Sequence, residues 1–225
     1  VGAISALVTS LGPHHACASS FRTSVLTLAW TDRRIRAAVL GYLGHMWEFI
    51  AFWSWVGVMT ALSYASSMDQ ADATSLGKLT AFLCILAASP ACLLTGLVAD
   101  KVGKARVAAS ALSVSGTAAV LTALTFGGPP YLTFSLVLLW GAAVVPDSPQ
   151  FSAIVADNAP PEAVGSLLTF QASLGFLLTV LTVQMAPVIA EAAGWPVLIL
   201  ILALGPVFGL WAIRPVLRSA PPADE

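Results

Sequence analysis

The chain has 225 residues, 58% of them hydrophobic and only 9% charged, with a net charge of -1 and a mean hydropathy of +0.88. Soluble domains carry about 25% charge, so this surface cannot be covered for water and its natural solvent is lipid. A net charge near zero leaves no electrostatic footprint for nucleic acid, and Cys17, Cys84 and Cys92 have neither metal-ligand nor CxxC spacing, so no metal and no cofactor is expected.

Residues 1–11 are apolar but lack the basic start of a signal peptide, and they run into Gly12-Pro13-His14-His15. They read as the last turns of an earlier membrane helix, and the chain as a fragment without an initiator Met. Residues 24–36 mix Leu26, Leu28 and Trp30 with Arg33, Arg34 and Arg36, the pattern of an amphipathic helix on a membrane surface. Six spans follow, each near the roughly 20 residues that cross a hydrocarbon core: 37–62, 76–98, 106–126, 131–156, 164–190 and 195–214. Turn chemistry separates them: a polar stretch at 66–75, Gly127-Gly128-Pro129-Pro130, a Pro-rich loop at 158–162, and Gly194. Three regions are expected: 1–36 as a helix end plus loop, 37–214 as the membrane domain, and 215–225 as a tail.

Basic residues set the expected orientation. Arg22, Arg33, Arg34 and Arg36 precede the first span, Lys101, Lys104 and Arg106 follow the second, and Arg214 and Arg218 follow the sixth. With alternating spans these lie on one side and Lys78 on the other, which puts both ends in the cytoplasm.

Three ionisable groups fall inside spans: His45 and Glu48 in the first, Asp147 in the fourth. A charge at mid-membrane costs roughly 2.5–3.5 kcal/mol on insertion scales, so such groups face protein or a watery cavity. His45 and Glu48 are three apart and share a helix face, with Tyr42, Phe49 and Trp55 on or beside the same stripe. Asp147 sits in Pro146-Asp147-Ser148-Pro149-Gln150, where two prolines loosen the helix and free backbone carbonyls. An acid at a helix break is a recurrent way to build an ion or substrate site. The functional reading is a polar cavity between the first and fourth spans, in which Glu48 or Asp147 binds a proton or a cationic group. The structural reading is that the same acids tie helices together. Gln150, Gln171 and Gln184 are further polar candidates, although amides in membrane helices often only bond across an interface. The aromatic cluster of Trp47, Phe49, Phe52, Trp53 and Trp55 reads as packing and anchoring, and the small residues of the third span as close helix contact.

Residues 96–106 read Gly-Leu-Val-Ala-Asp-Lys-Val-Gly-Lys-Ala-Arg between two apolar stretches. Gly96 permits close helix approach, Gly103 a tight reversal, and Asp100 an anion at a helix N-terminus. Lys101, Lys104 and Arg106 would hold the loop at an anionic surface. Together they read as a conformational latch.

This loop, after the second of six spans, resembles the signature loop of the major facilitator superfamily of secondary transporters, and the chain resembles that fold's C-terminal half. The segments Gly41-Tyr42-Leu43-Gly44-His45-Met46-Trp47-Glu48 and Pro146-Asp147-Ser148-Pro149-Gln150-Phe151-Ser152 are similar to patterns of a bacterial subgroup akin to nitrate and cyanate transporters. One departure is Ala105, which separates Lys104 from Arg106. The resemblance implies an all-α polytopic protein of the bacterial inner membrane, six transmembrane helices arranged as two inverted three-helix repeats. It places the first and fourth spans on a central cavity and calls for a missing N-terminal six-helix half. It implies alternating-access transport of a small solute, as a proton-coupled symporter or antiporter. Alternatives are a non-transporting membrane subunit, a truncated gene product, or a membrane-embedded enzyme using His45 and Glu48. No GxxxxGK[ST], HExxH or GxSxG motif supports an enzyme.

Overall fold

The computed structural model describes residues 23–218. The expectations for residues 1–22 and 219–225, including Cys17, Arg22 and most of the tail, lie outside them. After a 3₁₀ turn, Thr23–Thr27, come α1 (Leu28–Thr31), α2 (Arg33–Tyr64), α3 (Gln70–Val102), α4 (Lys104–Leu124), α5 (Pro130–Ala143), α6 (Asp147–Asn158), α7 (Val164–Ala193) and α8 (Trp195–Leu217). The described residues contain no strand.

Residues 24–36 are not one amphipathic helix. Asp32 adopts an extended conformation and its carboxylate accepts the N–H groups of Arg34 and Ile35, which starts α2 afresh. Asp69 caps α3 in the same way, through Ala71 and Asp72. The third helix start uses a different device. Gly103 alone joins α3 to α4, at φ 97°, and Gly194 alone joins α7 to α8, at φ 89°. Only glycine tolerates such backbone angles without strain.

Five stretches are long and apolar enough to cross a membrane: α3, α4, residues 130–158, α7 and α8. The sequence reading has six, the extra one being α2. Its 32 residues would extend about 48 Å, so length is not what sets it apart. His45, Glu48 and the Trp-rich stretch make it less apolar, and it can carry them because it is the central helix. It packs on α8, α3, α7, α6 and α5. A helix wrapped by others has no obligation to be apolar on every face.

The seams are built from small residues. A Cβ on Gly44 would sit 2.6–2.8 Å from backbone atoms of Gly205 and Gly209, so α2 and α8 meet main chain to main chain. A Cβ on Gly77 would sit 2.6 Å from the Gly57 carbonyl, which fixes the α2–α3 crossing. Along α4 the buried stripe is Ala108, Ala111, Leu112, Ser115, Ala118 and Ala119. Two apolar clusters result. One joins Phe52, Val56, Trp140 and Leu198; the other joins Val39, Met46, Phe151 and Leu167. On α2, Glu48 falls between the two clusters, after Met46 and before Ala51.

Candidate functional site

The helix break expected at the prolines of the fourth span is present. Residues 144–146 are non-helical and divide α5 from α6. Pro146 carries no N–H for the preceding turn, and Pro149 falls in the first turn of α6, where a missing N–H costs nothing. Asp147 is the first residue of α6. Its carboxylate therefore lies at the positive end of a helix dipole, which favours an anion.

Asp147 is buried, and its Oδ1 lies 2.9 Å from Nδ1 of the fully buried His45. The two atoms are at contact distance without the alignment of a hydrogen bond, so both remain unsatisfied. The other ring nitrogen of His45, Nε2, also has no partner among the described residues. The imidazole is stacked on Phe49, with centroids 4.7 Å apart, and Phe49 in turn leans on Trp53 at 4.7 Å. Tyr42 flanks His45 from the other side at 5.8 Å. The indole N–H of Trp53 is buried and unpaired as well.

Gln171 enters from α7. It lies on a buried stripe with Leu167, Gly175, Thr179 and Thr182, and this stripe faces α2: a Cβ on Gly175 would run into Tyr42 and Met46. Gln171 is 1% exposed, yet neither atom of its amide has a partner. An amide buried without partners forfeits about 1–3 kcal/mol. Three helices thus bring unsatisfied donors and acceptors into one seam. Gln150, on the same face of α6 as Asp147 three residues on, is also buried. Gln184 is exposed.

Glu48 is also fully buried but is satisfied. Ser115 Oγ donates to one carboxylate oxygen at 2.8 Å, and the Trp140 indole N–H donates to the other at 3.0 Å. This carboxylate joins α2 to α4 and α5, the arrangement expected of an acid that ties helices together. Neither Glu48 nor Asp147 opens onto solvent; protein encloses both. Sequence reasoning missed Trp140 and took Ser115 for a packing residue. The available signal was a tryptophan in a span interior, since a buried indole N–H needs an acceptor.

The latch residues behave differently from one another. Gly103 makes the expected reversal, but its helix start has no side-chain cap. Asp100 sits instead in the last turn of α3 and is exposed, as is Lys101. Gly96 makes no close approach: a Cβ there would meet nothing within 4 Å. Lys104 pairs with Asp157 at the end of α6, and Arg106 reaches the Val102 carbonyl at 3.5 Å. Arg34, Asp100, Lys104, Arg106, Asp157 and Asn158 line one cleft. The loop is thus bound to α6 through the Lys104–Asp157 pair, and α6 in turn to α2 through the Arg34 bond to the Asn158 side-chain oxygen at 3.4 Å.

The aromatic cluster packs as expected. The Trp47 indole donates to the Ile201 carbonyl and Phe52 lies 4.4 Å from Trp140. Trp55 donates to the Val183 carbonyl at 3.2 Å. Pro187 lies four residues beyond Val183 and has no N–H, so this indole replaces a helical bond that cannot form. Among the described residues no group of three or more His, Cys, Asp or Glu side chains could hold a metal ion.

No known family matches this chain, and no curated protein matches it.

Proposed function

We propose that this chain is the six-span half of a secondary transporter of the major facilitator type, which moves a small solute by alternating access. The observation that carries the proposal is the buried His45–Asp147 pair at a broken helix, with a Gln171 amide lacking a partner on the α7 stripe that faces α2. Unsatisfied groups sealed in a seam are what an alternately exposed site requires: water or solute entering the seam gains hydrogen bonds there and nowhere in the apolar clusters. Proton exchange at the His45–Asp147 pair would couple the solute to a proton gradient. Glu48 acts as a brace between α2, α4 and α5.

Two features support the inverted repeat. The chain segments α3–Gly103–α4 and α7–Gly194–α8 have the same form, a long helix, one glycine with positive φ, and a shorter helix. The packing partners also correspond when α2 is exchanged with the broken α5–α6, α3 with α7, and α4 with α8. Thus α2 packs on α8 as α5 and α6 pack on α4, and α2 packs on α7 as α5 packs on α3. The second helices of the two repeats, α3 and α7, are the least buried of the apolar stretches, at 11% and 22%. Their free faces fit a bilayer and the second six-helix half. On this reading α2 also spans the membrane, as the first of six, and both ends of the chain share the basic, cytoplasmic side of an inner membrane.

The test is proteoliposome flux. The full-length protein is reconstituted with a pH-sensitive dye inside, and a panel of small solutes is applied under an imposed proton gradient. Solute-dependent proton movement is expected, and Asp147→Asn should abolish it. The same solute-dependent proton movement in both Asp147→Asn and His45→Gln overturns the assignment.

A further inference from the structure

Eight of the nine described Lys and Arg residues lie at one end of the bundle. Four of them converge on a single cleft of about 350 Å³, within the roughly 300–1,000 Å³ range of small-molecule sites. Arg33 and Arg36 stand three apart in the first turn of α2, and Arg214 in the last turn of α8 is four residues before Arg218, which caps that helix. Each pair therefore shares a face of its helix, and the two helices are antiparallel neighbours. All four side chains are exposed, and none is ion-paired with an acid among the described residues. Arg36 donates one N–H to the Trp30 carbonyl at 2.8 Å, which holds its guanidinium in place.

Helix electrostatics explain half of this arrangement. Arg214 and Arg218 complement the negative end of α8, but Arg33 and Arg36 lie at the positive end of α2, where the capping carboxylate of Asp32 is taken up by the N–H groups of Arg34 and Ile35. A basic end as such follows from the positive-inside tendency. The convergence of four guanidiniums on one cleft does not. The walls identify the rest of the ligand. Leu40 and Trp211 continue the cleft toward the apolar surface, where Trp211 is 57% exposed and lies 5.6 Å from Phe208, itself 41% exposed.

We propose that this cleft binds the phosphate of an anionic phospholipid, with the guanidiniums around the headgroup and the acyl chain along Leu40 and Trp211. Arginine forks match phosphate oxygens in pairs, and basic pockets between membrane helices suit anionic headgroups. The apolar wall distinguishes a lipid from free phosphate. The proposal rests on membrane insertion and is independent of transport.

The test titrates the delipidated full chain in detergent micelles with short-chain phosphatidylglycerol and follows its unfolding temperature. Parallel titrations use short-chain phosphatidylcholine and inorganic phosphate. Phosphatidylglycerol should raise the unfolding temperature, and the other two should not. Two double variants are compared, Arg33→Gln with Arg218→Gln and Arg36→Gln with Arg214→Gln. Each should weaken phosphatidylglycerol binding roughly thirtyfold, while Lys78→Gln, at the opposite end, leaves it unchanged. The first pair touches no hydrogen bond among the described residues, so it remains informative if loss of the Arg36 contact loosens α1. Wild-type affinity in either double variant, an equal shift from inorganic phosphate, or an equal loss in Lys78→Gln overturns the proposal.

Discussion

Replacing Glu48 separates a brace from a proton carrier. In Glu48→Gln the side chain keeps its shape, and its oxygen still accepts from the Trp140 indole, now 3.0 Å from the carboxylate. The new NH₂ then faces Ser115. That hydroxyl can turn to accept from it, because the Leu112 carbonyl, 3.3 Å away, is available for its proton. The Trp140 and Ser115 donors and one amide N–H stay paired and only the second amide N–H lacks a partner, so the loss should be held to about 1–2 kcal/mol. Glu48→Ala cannot do this. It removes two interhelical hydrogen bonds, worth roughly 0.6–1.7 kcal/mol each inside a membrane bundle. It also leaves the Trp140 N–H buried without an acceptor and opens a void between α2, α4 and α5. The combined loss should be about 3 kcal/mol or more. Thermal unfolding of both variants in the same detergent measures the difference. If Glu48→Gln is as destabilised as Glu48→Ala, the carboxylate's charge holds the helices and the pairing argument fails. If the Gln variant is stable but loses proton-coupled flux, Glu48 carries the proton and the role given to Asp147 is wrong.

Three further outcomes follow from the packing. Gly44→Ala drives a Cβ into the backbone of Gly205 and Gly209, which cannot yield, and should cost about 1–3 kcal/mol; Gly96→Ala meets nothing and should be neutral or stabilising by up to about 1 kcal/mol. Thermal unfolding distinguishes them, and equal losses would refute the seam. Gly103→Ala and Gly194→Ala should each cost about 1–3 kcal/mol from backbone strain alone, since neither turn is crowded. Trp55→Phe should destabilise more than Trp47→Phe, because Pro187 leaves the Val183 carbonyl no helical donor, whereas Gly205 can still serve Ile201. Equal effects would show that the indole is not a substitute for the lost helical bond.

The sequence made some of this legible because the signals were local. Prolines on both sides of Asp147 act through missing N–H groups within one turn, so the break could be read directly. Gly103 before Lys104 likewise marks a reversal wherever the neighbouring helices go. The misreadings concern contacts between distant segments. Gly96 looked like a close-packing position, but which face of α3 meets a neighbour is decided at Gly57–Gly77 and Cys84–Gly141, far along the helix. The stretch 24–36 has amphipathic composition, yet the capping chemistry of Asp32 divides it. Glu48 and Asp147 are both carboxylic acids inside apolar stretches. Only the partners supplied by α4 and α5 make one satisfied and leave the other with an unsatisfied oxygen.

That difference bears on where the bundle can open. The α2–α8 seam is main chain against main chain at Gly44, Gly205 and Gly209, and separating it loses that close packing and breaks the Trp47 bond to the Ile201 carbonyl. The α2–α4–α5 junction is closed by hydrogen bonds to Glu48 that would have to break. The α2–α6–α7 seam is different. It contains His45, Asp147 and Gln171 with unsatisfied atoms, and the threonines of the α7 stripe beside them. Hydrating it recovers about 1–3 kcal/mol for each polar group that was sealed without a partner, which offsets part of the lost packing. Of these three seams it is the one in which hydration offsets part of the cost of opening, and the Trp55 bond to the Val183 carbonyl is the tie that would have to break. It is also the one that ends on a broken helix, where α6 can move without bending a continuous hydrogen-bonded ladder.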